Sequence, residues 1–386
     1  MKKIIAALLL LVAIVSAAWR VGEKEIFVSK YYSKLSQIVK DNNLKCDFYP
    51  NGKARLYVID QEISLLERSG IEYKIIKEDL KAFAENFWTS EVPSGYYTTA
   101  EITDLADSLS NAFPDLCQKY VFGATALGTE LAALKITDNP DIDENEAEVM
   151  FDGGIHGDEV GGAENCIRFA REILQSYESD EYIRGLIDNR EIWIYYSVNP
   201  DGRNAMEREN SQGVDCNRDW GYMWNGESGS SGAYSQNESK ALRDCAYNRN
   251  FVVHTTYHSG IEFISHPWSY RSSQCADNAH INQLAGLYAS SSGYANIPYG
   301  PGNTGMYPIN GSSKDTNYGA YGSISWSMEI SVDKQPPSTQ IQYYYNLNKP
   351  AMLTMIEYSG YGISGTITDE TTGEPVKATI FVNDYF

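Results

Sequence analysis

Apolar runs that lie far apart in the chain constrain its fold more than any other feature. They occupy residues 132–136, 147–151, 192–198, 251–257 and 324–330. Short apolar runs of this kind are typical of strands that are buried on both faces of a sheet. Patterns typical of helices lie among them at residues 99–112, 159–175 and 340–358. Buried strands that alternate with helices predict an α/β fold, a mostly parallel mixed sheet flanked by helices.

The first part of the chain has a different pattern. Short strands are predicted at residues 25–28, 45–49, 54–59 and 71–76, and helices at 29–40 and 61–69. Asn51-Gly52 between the middle two strands is a strong hairpin signal. The order βαββαβ predicts a small α+β domain, which with a charged helical linker covers residues 19–90. The domain with the apolar strands then covers residues 91–359.

Both ends of the chain carry separate signals. Lys2 and Lys3, the apolar run 4–15 and the small residues 16–18 predict a signal peptide over residues 1–18, and so secretion to an extracellular or periplasmic location. We expect no membrane span, because no later stretch reaches about twenty apolar residues. Residues 360–386 alternate like strand, turn and strand, too few to bury a core. They predict the start of a β-sandwich domain that is cut short, or strands that dock on the main domain.

Charge and cysteine content exclude some functions. The chain has 31 basic and 51 acidic residues, a net charge of −20, which argues against nucleic acid or an anionic membrane as a partner. Six cysteines permit disulfides in an exported protein, but no pairing follows from their positions. Without a Cys-x-x-Cys pair, we do not expect a cysteine-rich zinc site.

The segment from Gly154 to Glu159 is the first chemical motif. It sets His156 and Glu159 three residues apart, after a buried strand and two glycines that predict a tight turn. At such a turn the two side chains can converge on one zinc ion. His258, at the end of another predicted strand, is the candidate third ligand. His254 is its rival, since alternation puts both on one strand face, although a hydrogen-bonded core histidine is the commoner interpretation.

Two histidines and a carboxylate leave a fourth zinc position open for water, as in a catalytic site. Zinc lowers the pKa of that water toward about 7, and a separate carboxylate must then take its proton. Glu329 lies inside an otherwise apolar strand, where an unpaired carboxylate costs several kcal/mol. It is therefore the candidate base, with an outward-facing edge position as the alternative.

A third group of residues could bind the substrate. Asn217 and Arg218 offer donors suited to a terminal carboxylate, and Arg208 could stabilise an oxyanion. Asp215 is a candidate partner for the free nitrogen of a zinc-bound histidine. Taken one at a time, each of these is more often part of a surface ion pair.

Together these motifs, with Asn199-Pro-Asp-Gly202 and His258-Ser-Gly, resemble in order the zinc metallocarboxypeptidases of the carboxypeptidase A/B/T family, over about residues 96–358. The resemblance implies one zinc ion per chain, held by His156, Glu159 and His258, and Glu329 as general base and acid. It implies Arg208 as a catalytic residue that binds the carbonyl and the oxyanion, Asn217 with Arg218 as the clamp on the terminal carboxylate, and Tyr307 as the residue that closes over the substrate. The N-terminal domain resembles the family's propeptide, and the C-terminal residues resemble the start of a transthyretin-like domain. Peptide or protein C-termini would be the partners, and a processing protease would be another.

The chain also departs from the family pattern. The motif His-Gly-Asp-Glu is nearer the regulatory than the digestive branch, and Asp219 stands where asparagine is commoner. Lys314 occupies the position with which the family that this chain resembles reads the substrate's last side chain. A cation there predicts a preference for C-terminal Glu or Asp, unless Lys314 points to solvent or pairs with Asp315.

The sequence therefore predicts a secreted zinc carboxypeptidase, made as a zymogen. A cell-wall peptide hydrolase or an acyl-amino-acid deacylase on the same scaffold is an alternative. A catalytically inert binding protein displayed at a surface is another.

Overall fold

The structure is a computed structural model, and it describes residues 19–89, 95–227, 229–362, 365–376 and 378. The predicted signal peptide, residues 1–18, lies outside the described residues. Of the helices in the described part, none is both long and apolar enough to cross a membrane. The six cysteines all lie in the described part, and each of them is free.

The strands of the described residues form two sheets. The four-stranded sheet contains β1 Lys24–Val28, β2 Lys45–Phe48, β3 Ala54–Val58 and β4 Lys74–Lys77. The eight-stranded sheet contains β5 Cys117–Ala124, β6 Glu130–Ile136, β7 Ala147–Gly153, β8 Arg190–Tyr195, β9 Phe251–His258, β10 Ile261–His266, β11 Tyr299–Pro301 and β12 Ile324–Ser331.

The eight-stranded sheet is mixed, as predicted. Its strand order is β11-β10-β12-β9-β7-β8-β6-β5, and the central strands β12, β9, β7 and β8 run parallel. Antiparallel pairs join β10 to β12, β6 to β8 and β5 to β6. The predicted apolar runs form β6, β7, β8, β9 and β12, whereas β5, β10 and β11 were not predicted. Strand β5 has one buried residue, Cys117, and its other residues are partly buried or exposed, so it lacks a continuous apolar run.

Helices cover both faces of this sheet. The helices of the chain are α1 Leu35–Asp41, α2 Asp60–Arg68, α3 Leu80–Thr89, α4 Thr99–Ala112, α5 Gly161–Ser176, α6 Glu181–Ile187, α7 Pro200–Ala205, α8 Asn237–Tyr247, α9 Asn278–Ser291, α10 Gly302–Gly305, α11 Ser313–Tyr321 and α12 Ile341–Ser359. In β7, Val149 and Phe151 belong to the core shared with α5 and α12, while Met150 belongs to the core shared with α8. Successive strand residues are therefore buried on opposite faces.

The N-terminal elements follow the predicted order βαββαβ, with strand order β2-β3-β1-β4 and antiparallel pairing throughout. Two predicted boundaries are wrong: helix α1 begins at Leu35 rather than at residue 29, and β4 begins at Lys74 rather than at residue 71. The buried Arg55 guanidinium bonds Glu25 Oε1 at 2.6 Å and reaches Val332 O at 3.2 Å. This contact ties the small sheet to the segment that follows β12.

The described residues after α12 contain no strand. Thr368 and Pro375 form an isolated antiparallel bridge, and the side chains around them are exposed. The first predicted strand, residues 365–369, is thus reduced to this bridge, and most of the second, residues 378–382, lies outside the described residues.

Candidate active site

A tight turn after β7 brings His156 and Glu159 together. Gly154 has φ +75°, which favours glycine, and a Cβ on Gly157 would lie 2.0 Å from the carbonyl carbon of Gly202. Helix α5 begins at Gly161, so the prediction of a helix from residue 159 is wrong by two residues. Because Glu159 precedes the helix, its side chain can turn back toward His156.

His258, the last residue of β9, completes a buried group with these two residues. The Nδ1 atom of His156 lies 2.9 Å from Glu159 Oε1, and the Nδ1 atom of His258 lies 2.9 Å from Glu159 Oε2. The two Nδ1 atoms are 3.2 Å apart. All three side chains are nearly inaccessible to solvent. Burial raises the pKa of the Glu159 carboxyl, but the two imidazoles outweigh it and hold that pKa well below its usual range.

This group fits a zinc ion. Two imidazoles and a carboxylate are common zinc ligands, and bonds of about 2.1 Å in a tetrahedron place neighbouring donors roughly 3.4 Å apart. The donor atoms of His156, Glu159 and His258 all lie within 4.8 Å of one another. The lone pairs of two imidazole nitrogens and one carboxylate converge here. A cation bound between them would accept all three lone pairs.

Asp215 orients both His156 and Arg208. Its Oδ1 atom lies 3.2 Å from His156 Nε2, the ring nitrogen that faces away from Glu159, so it fixes the ring orientation. Its Oδ2 atom accepts a hydrogen bond from Arg208 Nε at 3.0 Å. Arg208 Nη1 lies 3.4 Å from Glu159 Oε1, which places the guanidinium directly beside the three candidate ligands.

Asn217, Arg218 and Tyr307 lie at the same pocket. The Asn217 side-chain oxygen accepts a hydrogen bond from Ser313 N at 3.0 Å, at the start of α11. Arg218 Nη1 donates to Asn217 O at 3.0 Å, and its Nη2 atom lies 3.5 Å from the Tyr307 hydroxyl. The predicted carboxylate-binding side chains are therefore neighbours, and the backbone at the start of α11 holds Asn217 in place.

Asp219, which departs from the family pattern, holds the segment after Arg218 against the beginning of α8. Its buried carboxylate accepts hydrogen bonds from Ser235 Oγ, Gln236 N and Ser239 Oγ, at the beginning of α8. Asp219 therefore anchors the segment that carries Asn217 and Arg218 to that helix. A neutral asparagine would accept fewer of these bonds.

Glu329 lies on β12 beside His258. The two residues are partners in the parallel register of β12 and β9, and both line the pocket. Burial first, and the Glu159 carboxylate second, raise the pKa of the Glu329 carboxyl well above its usual range. In the described part of the chain no hydrogen bond reaches this carboxylate. The predicted alternative, an outward-facing edge position, is wrong because β12 lies inside the sheet and Glu329 is 7% exposed.

Lys314 lines the same pocket as the candidate ligands. Only 2% of the residue is exposed, and Nζ donates to Ser265 Oγ. It does not point to solvent, and the Asp315 carboxylate instead accepts from the backbone N–H groups of Ser269 and Tyr270. Burial lowers the pKa of Lys314 to about 8.

The N-terminal segment contributes residues to this pocket that the sequence did not predict. Asp47 of β2 lies 2.8 Å from Lys334 Nζ and 3.5 Å from Arg208 Nη1. Asp47, Tyr49 and Lys334 all line the pocket together with His156. No motif marks Asp47 or Lys334, because contacts between distant segments leave no local pattern.

His254 is not at the pocket. Its Nε2 atom lies 2.5 Å from Asp152 Oδ2 and its Nδ1 atom 2.8 Å from Ser325 Oγ, and the imidazole is fully buried. It is the hydrogen-bonded core histidine that the commoner interpretation predicted.

Comparison with known proteins extends these findings. Residues 102–351 match the sequence model of a family described as zinc carboxypeptidase. Carboxypeptidase SOL1 of Arabidopsis thaliana is 26% identical over 307 residues, which are 76% of this chain and 62% of that protein. A zinc carboxypeptidase of Saccharothrix mutabilis subsp. capreolus is 34% identical over 154 residues, 35% of each chain. The chain thus spans less than two thirds of either relative.

Two crystal structures have the same fold. Thrombin activatable fibrinolysis inhibitor matches with a TM-score of 0.75 at 17% identity, over 88% of this chain and 99% of that chain. Carboxypeptidase A from Helicoverpa armigera matches with a TM-score of 0.75 at 16% identity, over 89% of this chain and 98% of that chain.

Proposed function

The chain belongs to the zinc carboxypeptidase family, and on that premise we propose that it hydrolyses the C-terminal peptide bond of peptides or proteins. One observation carries the proposal: His156, Glu159 and His258 converge beside Arg208 and Glu329 in a single buried pocket. Zinc, which the family implies, would be held by the first three residues, and when bound it would supply Lewis acidity that activates water and polarises a carbonyl.

Glu329 moves the proton in this proposal. Its carboxylate takes a proton from the attacking water and gives it to the leaving amine. Burial and the Glu159 carboxylate raise the pKa of the Glu329 carboxyl, which makes its carboxylate a stronger base than that of an exposed glutamate.

The arginines bind and orient the substrate. Arg208, held by Asp215, stabilises the negative charge that develops on the carbonyl oxygen. Asn217 and Arg218 bind the terminal carboxylate, and the nearby Tyr307 hydroxyl covers it. The paired carboxylate distinguishes the last peptide bond from internal ones.

Lys314 gives the pocket a preference for C-terminal Glu or Asp. The buried ammonium has one hydroxyl partner, Ser265, and no carboxylate within ion-pair distance in the described part of the chain. An acidic substrate side chain would supply the missing counter-charge, and a substrate Lys or Arg would be repelled.

The N-terminal domain masks the pocket until it is removed, so the chain is a zymogen. Asp47 and Tyr49 line the pocket together with the candidate ligands, and Asp47 pairs with Lys334, so the two side chains occupy space that a substrate would need. Residues 1–18 direct export, and a processing protease then cleaves between the two domains. The mature enzyme acts outside the cytoplasm.

The test is mass spectrometry of a peptide library incubated with the purified chain before and after limited proteolysis. We expect loss of single C-terminal residues, Glu and Asp fastest, only after proteolysis and only without a chelator. Internal cleavage, or hydrolysis of N-acyl amino acids but not of peptides, would contradict the proposal. Selective cleavage of muropeptides with D-amino acids would favour a cell-wall peptide hydrolase.

A further inference from the structure

We propose that Lys334 forms a second acidic-residue subsite, so that the enzyme prefers substrates with Asp or Glu in the penultimate position. This inference rests on the proposed carboxypeptidase function and adds to the role of Lys314. It is carried by the position of one carboxylate, that of Asp47, between two cations of the pocket.

The Lys334 ammonium is buried and fully engaged. Nζ lies 2.8 Å from Asp47 Oδ2, 2.8 Å from Asp158 Oδ2 and 2.8 Å from the Tyr57 hydroxyl. An ammonium has three hydrogens to donate, and these partners use all of them. Lys334 also lies 3.8 Å from Glu159 Oε1, so it is next to the candidate metal ligands.

Two of these three partners belong to the N-terminal domain. When that domain leaves, Asp47 and Tyr57 leave with it, and Asp158 remains as the single close partner. The ammonium then has two donors without acceptors at the edge of a concave site. A desolvated cation of this kind gains most from a new anionic partner.

The Asp47 carboxylate shows where such a partner would sit. It contacts Lys334 on one side and Arg208, which is 3.5 Å away, on the other. A carboxylate of the protein's own chain thus already occupies the position, and a substrate carboxylate placed there would meet the same two cations.

This position lies upstream of the bond to be cleaved. The substrate's last residue points to Lys314, so the preceding residues must leave through the open side. A second cavity of about 510 Å³ adjoins the pocket, with Asp47 and other N-terminal residues on one side and Asp158, Arg208 and Tyr307 on the other, whereas Lys314 and Lys334 line the inner pocket. Asp47 lines both cavities, so its carboxylate marks the junction through which the chain before the last residue would pass, and we assign the subsite to the penultimate side chain.

The test uses the full chain after limited proteolysis, without separation of the fragments. Two peptides that both end in Glu differ only by Asp or Asn at the penultimate position. We expect kcat/KM to be about fivefold higher for the Asp peptide, as for a partly solvated ion pair. The preference should shrink in 0.5 M salt because salt screens the interaction.

Three variants test whether the preference for penultimate Asp comes from the charge of Lys334 or from a change that affects all substrates. Lys334→Met should reduce the Asp-to-Asn ratio to about one, whereas Lys334→Arg, which keeps the charge, should retain it. Lys349→Met, which removes a lysine paired with Glu172 far from the pocket, should leave the ratio unchanged. The ratio compares two substrates of one sample, so partial loss of folded protein does not affect it.

The outcomes distinguish the two proposals. Equal rates for Asp and Asn in the wild-type protein, or an unchanged ratio in Lys334→Met, would overturn the subsite while leaving the carboxypeptidase function intact. If Lys334→Met does not fold, the salt dependence of the wild-type ratio decides the question. Hydrolysis of neither peptide would overturn both proposals.

Discussion

The two ends of the pocket differ in how their buried charges are balanced. At the end that contains the candidate metal ligands, Glu159 contacts two imidazoles and Arg208 pairs with Asp215. At the other end, the hydrogen-bond partner of the Lys314 ammonium among the described residues is the Ser265 hydroxyl, and burial lowers the pKa of Lys314 to about 8. Buried charges that are paired with opposite charges of the protein are typical of a preorganised site. A buried charge without such a partner is typical of a site where the substrate supplies the opposite charge.

This difference predicts two kinds of mutational effect. Changes at the ligand end should abolish metal binding or proton transfer for every substrate. Changes at the Lys314 end should redistribute activity among substrates, because the chemistry does not need that charge. The following predictions test this division, and all activity measurements refer to the chain after limited proteolysis.

The largest effect is expected from His258→Gln. The substitution removes one of three candidate ligands, so we expect zinc content to fall to a small fraction of one ion per chain and activity to fall with it. Metal analysis after dialysis measures the first and peptide hydrolysis the second. His254→Gln is the matched control on the same strand. It should lower thermal stability while zinc remains bound, since the His254 imidazole hydrogen-bonds Asp152 and Ser325 and does not belong to the group of converging donors. Zinc loss in the control and not in His258→Gln would reverse the assignment.

Glu329→Gln should lower kcat by roughly 10²- to 10⁴-fold, the usual contribution of a general acid–base residue. Zinc should stay bound, because Glu329 is not among the converging donors. Steady-state kinetics together with metal analysis measure both quantities. Glu262→Gln on the adjacent strand β10 is the control, and its activity should be near normal. Near-normal turnover in Glu329→Gln would refute the role of this residue.

Lys314→Met should change specificity more than rate. A buried, desolvated ion pair contributes about 2 kcal/mol or more, so the preference for C-terminal Glu over Gln should fall roughly 30-fold. Hydrolysis of the Gln peptide should stay within a few-fold of the wild-type rate. Competition between the two peptides, followed by mass spectrometry, measures the ratio directly, and Lys240→Met on exposed helix surface is the control. An equal loss of hydrolysis rate for the Glu peptide and the Gln peptide would show that Lys314 acts on every substrate, as the candidate metal ligands do.

Sequence patterns predicted the parts of this molecule that depend on local order. The five apolar runs became five of the eight strands of the large sheet, and the spacing of His156 and Glu159 predicted their convergence with His258. Contacts between distant segments could not be predicted. Asp47 and Lys334 are 287 positions apart and meet only because the small sheet packs over the pocket. Whether Lys314 faces solvent or the pocket likewise depends on how α11 packs against β12 and β9 of the sheet, which no local pattern encodes.

The smallest expected effect is a pH dependence confined to the Lys314 end. With the pKa of Lys314 lowered to about 8 by burial, the ammonium loses its proton as the pH rises through that value. A substrate Glu side chain stays ionised throughout, since its pKa is near 4.3. The Glu-to-Gln ratio of kcat/KM, which reports the free enzyme, should therefore be highest below pH 7 and fall by roughly tenfold between pH 7 and pH 9. In Lys314→Met the same ratio should be flat over this range, because the methionine carries no charge. A wild-type Glu-to-Gln ratio that stays constant between pH 7 and pH 9, or a ratio that falls equally in Lys314→Met, would show that another group causes the acidic preference. The difference in charge pairing between the two ends of the pocket would then have no effect on specificity.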